Sequence, residues 1–290
     1  MLLQQIVNGI TIGGVYALVA LGYSMVYSIL RIVNFAHGDI FMIGTFIGLN
    51  LSVSFGLPIY VSILISAALT AGVGVLIEKT AYRPLYAKGG LSVLISALGV
   101  DIFLQNFARV IWGSETHPYP SEWKVTNYTF GKISVTNIQM IVMALTVILL
   151  IILYILVYRS RLGTAMRACA HSIVNARLMG INTNRIIIFT FGIGSALAAV
   201  AGNLIGIYYD AVYPSMGYSM GMKAFAAAIL GGIGSIPGAV VGGLLIGIVE
   251  ILGSAYISSG YRDAFAFAVM IFILIVRPSG LMGSRQQEKV

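Results

Sequence analysis

RSRLGTAMRACAHSIVNARLMGINTNR, residues 159–185, is a long polar interruption near the middle of an otherwise apolar chain. It carries five arginines and no acid, and it separates two apolar runs, 138–158 and 186–208. Each run is long enough to cross a bilayer, which takes roughly 20 apolar residues in helical form. Lys and Arg are biased toward the cytoplasmic face of membrane proteins, so the segment is predicted to lie inside and its neighbours to be spans. A basic cytoplasmic segment of this kind is expected to be presented to a partner. A short helical piece within it is predicted to end at Gly180.

Composition agrees. Hydrophobic residues make up 59% of the 290 residues and charged residues 9%, with a mean hydropathy of +0.96. A soluble domain carries about a quarter charged residues, so no aqueous surface could be built from this sequence. An outer-membrane barrel would alternate polar and apolar residues over segments of about ten, and no such alternation occurs. The fold class is therefore all-α, a polytopic helical membrane protein. The start MLLQQ has no basic n-region and no small-residue cleavage site closes the first apolar run, so 6–30 is expected to be a retained span. The single cysteine, Cys169, excludes an internal disulfide and a thiolate metal cluster. The formal net charge of +8 is explained by topology rather than by nucleic acid.

Spans are predicted at 6–30, 39–56, 58–80, 91–112, 138–158, 186–208, 221–235, 237–257 and 262–277, giving eight or nine segments with 221–235 short. Alternation from the basic segment places the N-terminus outside and the C-terminus inside. The inner side then holds Arg31, Lys79, Arg83, Lys88, the five arginines of 159–185, Arg277, Arg285 and Lys289. The outer side or its boundary holds Arg109, Lys124, Lys132, Lys223 and Arg262. Twelve of the 17 basic residues thus fall inside, as the cytoplasmic bias requires. The whole chain, 1–290, reads as one transmembrane domain, with an outer loop at 113–137 and a cytoplasmic loop at 159–185. The outer loop holds Pro118, Pro120, Trp123, Tyr128 and a β-prone stretch, VTNYTFGKISVTN.

The layout points to an inverted repeat. Span 6–30, a short piece after NFAHG, and spans 58–80 and 91–112 recur as 186–208, 221–235, 237–257 and 262–277 in the opposite direction. In transporters such repeats carry interrupted helices at matching positions, and the interruptions mark the substrate route. The first interruption contains Asn34, His37, Gly38 and Asp39, placed at an inner boundary as helix caps or as a cytoplasmic gate. The second, GGIGSIPG at 231–238, combines four glycines with a proline that lacks an N–H. Its Gly231, Gly232, Gly234 and Ser235 are candidates to line the route. Broken helix inside a bilayer is tolerated only when buried in protein or lining a water-filled cavity. The two interruptions are expected to approach each other. Asp101 and Glu250 are acids within apolar runs, where charge is costly. Each could contact a substrate ammonium or pair with another helix, and Gln105 and Asn106 lie one turn beyond Asp101.

No GxxxxGK[ST] or HExxH occurs, so the chain has no phosphate-cradling loop of its own. A transporter needing ATP would take it from partner chains.

At this point the residues resemble a known family. NGITIGGVYALVALGYSMVYSILRIVNFAHGDIFMIGTF, EKTAYRPL, SALGVDIFLQN, GINTNRI and GMKAFAAAILGGIGSIPGAVVGGLLIGIVE together are similar to the LivH-type permeases of bacterial branched-chain amino-acid ABC importers, nearly end to end. The resemblance implies a subunit of the bacterial inner membrane that binds no cofactor. It would pair with a second, related permease, above two ATPases that hydrolyse ATP and below a periplasmic amino-acid-binding protein. It also implies a coupling element for the ATPase running from Gly163 through Ile181, with Arg167, Ala176, Arg177, Gly180 and Ile181 as candidate contacts and Ala176 as the docking residue. The chain departs from the family in carrying Ala170, His171 and Ser172 where acidic residues often precede that alanine. Permeases for urea, short amides or sugars share the scaffold and remain an alternative. A stand-alone channel or ion-coupled carrier is a rival from another class, and it would need cycling acids at Asp101 and Glu250.

Overall fold

A computed structural model of the chain describes residues 1–119, 126–131 and 133–283. Pro120, Trp123, Lys124, Lys132, Arg285 and Lys289 lie outside the described residues. In chain order the first four helices are α1 (Leu2–Leu30), α2 (His37–Val53), α3 (Ile59–Ile77) and α4 (Gly90–Trp112). A two-stranded hairpin, β1 (Asn127–Phe130) and β2 (Ile133–Thr136), precedes α5 (Asn137–Arg159). Then come α6 (Arg161–His171), α7 (Ile173–Leu178), α8 (Thr183–Tyr209), α9 (Met216–Gly231), α10 (Ile236–Tyr256) and α11 (Arg262–Val276). Between α3 and α4 the chain makes a π turn, Glu78–Tyr82, and a 3-10 stretch, Arg83–Lys88.

Seven helical stretches among the described residues are long and apolar enough to cross a membrane. The segments predicted at 39–56 and 221–235 form α2 and α9, which have 17 and 16 residues. At 1.5 Å per residue these reach only about 25 Å, short of the roughly 30 Å hydrocarbon layer. Helix α9 starts earlier than predicted, at Met216, and ends where Gly232 turns to φ 102°. The β-prone outer stretch does pair, with Tyr128 opposite Val135. Thr136 then opens α5 with a capping box: its hydroxyl accepts from the Gln139 N–H at 3.1 Å, and its own N–H donates to Gln139 Oε1 at 3.0 Å.

The two halves repeat in the structure. Arg31 closes α1 at φ 56° and Asp210 closes α8 at φ 48°, the only non-glycine residues with positive φ among those described. A left-handed non-glycine residue is costly, so two at matching helix ends mark one turn used twice. They lie 179 residues apart, and so do His37 and Met216, where α2 and α9 begin. Helix α1 packs along α10 and α8 along α3, so the first helix of each half packs along the third helix of the other. The halves are inverted, since Gly22 meets Gly194 while Val26 and Leu30 meet Ile187 and Phe191, so α1 and α8 run antiparallel. The same offset maps Gly38 onto Gly217, and these two residues touch: a Cβ on Gly217 would lie 2.7 Å from the Gly38 carbonyl oxygen. The pseudo-twofold axis therefore passes between the N-termini of α2 and α9. After α3 and α10 the halves differ: a π turn and a six-residue 3-10 stretch follow α3, whereas a three-residue 3-10 turn, Ser259–Tyr261, follows α10.

Candidate functional site

The basic segment folds as two short helices because polar caps interrupt it. Ser160 accepts from the Gly163 N–H at 2.9 Å, Ser172 from Asn175 at 3.2 Å, and Asn182 from Arg185 at 3.2 Å. Helix α7 ends at Leu178 and the chain turns at Gly180, φ 82°, the residue predicted to end it. The Gly180 N–H donates to the Arg177 carbonyl and the Ile181 N–H to the Ala176 carbonyl, each at 3.0 Å. That double bond pattern is a Schellman turn, which needs a left-handed residue at its corner. The side chains are arranged otherwise than predicted. Ala176 is buried, 4% exposed, against the protein itself. The outward residues are Val174, Leu178 and Met179, at 69%, 80% and 83% exposure. Arg167 donates to the Val157 carbonyl and lies over the Tyr158 ring at 5.6 Å, which fastens it to the end of α5. Arg177 reaches Thr183 Oγ1 at 3.4 Å.

The 231–238 break adjoins this segment. A cavity of about 210 Å³ is lined by Gly234, Ser235 and Ile236 together with Met25, Arg167 and Ala170. Ser235 caps α10 by accepting from the Gly238 N–H at 3.2 Å. Gly231 sits against the Gly238 carbonyl, and Gly232 against Ser279 and Gly283. The Leu281 and Met282 N–H groups donate to the Leu230 and Gly231 carbonyls, both at 2.9 Å. The backbone freed by the break is thus met by the chain's own 279–283 segment.

The 34–38 interruption lies elsewhere, which corrects the expectation that the two breaks meet. Gly38 touches Gly217 and Gly221, whereas the second break begins beyond Gly231. Ten residues of α9, about 15 Å at 1.5 Å per residue, separate Gly221 from Gly231. His37 is buried between Gly22 and Gly194, edge-on to Tyr23 at 4.7 Å. Asn34 Oδ1 accepts from the Tyr82 hydroxyl at 2.7 Å, and α2 has no side-chain cap. Asp39 is fully buried and faces Asp101 of α4, with Gln105 Nε2 donating to Asp39 Oδ2 at 3.5 Å.

Glu250 is paired with other helices. Its Oε1 lies 2.9 Å from Lys223 Nζ of α9 and 2.5 Å from Arg262 Nε of α11. Lys223 also meets Asp263 at 2.6 Å, and Arg262 donates to the Tyr209 hydroxyl at 2.7 Å. The sequence reading assigned Lys223 to the outer boundary, yet it is 3% exposed. The available signal was its place inside the apolar run that forms α9.

The family model described as the permease component of the branched-chain amino acid transport system matches residues 5–274. A high-affinity branched-chain amino acid transport system permease protein, LivH, of Escherichia coli K12 is 43% identical over 99% of this chain and 97% of its own. The corresponding protein BraD of Pseudomonas aeruginosa is 43% identical over 99% of this chain and 98% of its own. The chain belongs to this permease family. A ribose import permease, RbsC, of Haemophilus influenzae is a more distant relative, 24% identical over 94% of the chain and 84% of its own. PsaBC from Streptococcus pneumoniae, solved in complex with Fab, shares the fold at TM-score 0.53 and 12% identity, covering 96% of this chain and 92% of that one. This permease is accordingly a multi-pass membrane protein, in which the pairing of α1 with α10 and of α8 with α3 sets the frame.

Proposed function

We propose that this permease is the membrane subunit of an ABC importer that carries branched-chain aliphatic amino acids into the bacterial cytoplasm. The observation that carries the reading is identity above 40% to relatives so named, along 99% of the chain. Two ATPase subunits would dock on α6 and α7 and supply ATP hydrolysis, since the sequence contains no phosphate-binding loop. A second related permease would complete the bilayer unit, and a periplasmic binding protein would deliver substrate at the opposite face. The chain itself would bind no cofactor. In the complex assembled with these partners, leucine, isoleucine and valine uptake should require ATP and compete with one another. Uptake of ribose or urea in their place would overturn the substrate assignment. Uptake that survives ATP depletion would overturn the importer class.

The proposed orientation puts the hairpin outside and α7 inside. Cys169 is unsuited to test it, because burial hides the thiol and pushes its pKa up, whichever side it faces. Thr129→Cys and Val174→Cys are both exposed. In intact cells a membrane-impermeant thiol reagent is expected to label the first and spare the second, and the reverse pattern would invert the topology.

A further inference from the structure

At the end of the bundle opposite α6 and α7, α8, α9 and α11 enclose a cavity of about 420 Å³. That is within the size range of small-molecule pockets, roughly 300–1,000 Å³. One wall is charged: Lys223, Arg262 and Asp263 line it, with Tyr209 beside them. The other wall is apolar, formed by buried Ile205, Met216 and Met220. Met216 and Met220 lie four residues apart on α9 and so share a face.

We propose that this cavity is a binding site for an α-amino-acid zwitterion with an aliphatic side chain, a proposal that rests on the importer reading above. Lys223, Arg262, Glu250 and Asp263 form a neutral set of two cations and two carboxylates. An anion or a cation alone would unbalance that set in a poorly solvated place, which is expensive. A zwitterion leaves it balanced. It enters by exchange: Lys223 gives up Asp263 and takes the substrate carboxylate, while Asp263 takes the substrate ammonium. Asp263 is suited to this because its side chain is 59% exposed and holds the pair from the open side, whereas Glu250 stays buried and keeps Lys223 in place. Arg262 is held by Glu250 and Tyr209, with its guanidinium over the Tyr209 ring at 5.7 Å, and presents further donors to the same carboxylate. Methionine adapts its shape easily, so Met216 and Met220 accept leucine, isoleucine or valine without a fixed mould.

Ser219 also lines the cavity and is partly exposed, so Ser219→Cys in a Cys169→Ala background reports on occupancy. The assembled complex in nanodiscs, with both faces open, is treated with a thiol reagent. Leucine at millimolar concentration is expected to slow labelling at least about tenfold. Isopentylamine, which lacks the carboxylate, and 4-methylpentanoate, which lacks the ammonium, are expected to protect at least tenfold less well. Adding Asp263→Asn should abolish protection while leaving the unprotected labelling rate within about twofold, a sign that the cavity is intact. No protection by leucine, or equal protection by isopentylamine, overturns the site. Leucine uptake by the unmodified complex separates the two failures: uptake without protection removes this site alone, and absence of both removes the importer reading as well.

Discussion

Changing Leu178 and Met179 together to glutamate is expected to cut amino-acid uptake at least about 30-fold while the spans still insert. The figure follows from hot-spot residues, which are worth about 2 kcal/mol or more on truncation, with 1.4 kcal/mol per factor of ten. These two side chains stand outward at the end of α7, on the face proposed to meet the ATPase, and nothing among the described residues covers them. Large exposed apolar groups beside a basic, water-facing segment are what a docking surface requires. ATP hydrolysis stimulated by the binding protein should fall in parallel, and the ATPase should dissociate during purification. Retained stimulation would remove α7 from the contact. Ala176→Glu, by contrast, forces a charge into a site that is buried within the permease. It is expected to lower expression of the permease itself, so loss of uptake in that variant would not report on docking.

The difference between Ala176 and Leu178 shows where reading the sequence stops. That 159–185 is polar, basic and helical up to Gly180 follows from composition and from the left-handed turn a glycine favours. Which face of a six-residue helix points home does not follow, because so short a segment has no apolar period to betray it. The same limit applied to the acids. Glu250 was visible as a charge in an apolar run, with partnership as one of two readings. Its partners, Lys223 and Arg262, lie on α9 and α11. Only packing brings those helices together, and a topology count had already assigned both cations to a water-facing boundary. The repeat fared better. Span order alone indicated inversion, since matching lengths survive when residue identities do not. What sequence could not supply was the axis, because Gly38 and Gly217 look like two of 34 glycines until their backbones are seen in contact. The two interruptions were expected to meet each other. Instead each half's short helix meets the other at its N-terminus, and GGIGSIPG closes on the 279–283 segment.

That axis gives the last expected result. Gly38→Ala would drive a Cβ into the Gly217 carbonyl and to 2.9 Å from the Gly221 Cα. All of these neighbours are backbone atoms, which cannot rotate away as the end of a side chain can. Overpacking of this kind costs about 1–3 kcal/mol. At about 2–4 °C per kcal/mol, the melting temperature of the purified complex should fall by several degrees. Gly72→Ala is the control, since the added Cβ on α3 meets nothing within 4 Å. Alanine is the better helix former by about 1 kcal/mol, so that variant should hold or gain stability. Gly217→Ala should cost about as much as Gly38→Ala, its Cβ falling 2.6 Å from Asp39 Oδ1 and 2.7 Å from the Gly38 carbonyl. Because both insertions push the same two helix starts apart, the second should cost less once the first is present. Directly contacting sites show coupling of about 0.5–3 kcal/mol, and here the sign is fixed by the shared displacement. The double variant should therefore melt above the temperature that the two single losses predict when added. Strict additivity would mean that α2 and α9 yield independently, and that their N-termini are not held against each other at the centre of the repeat.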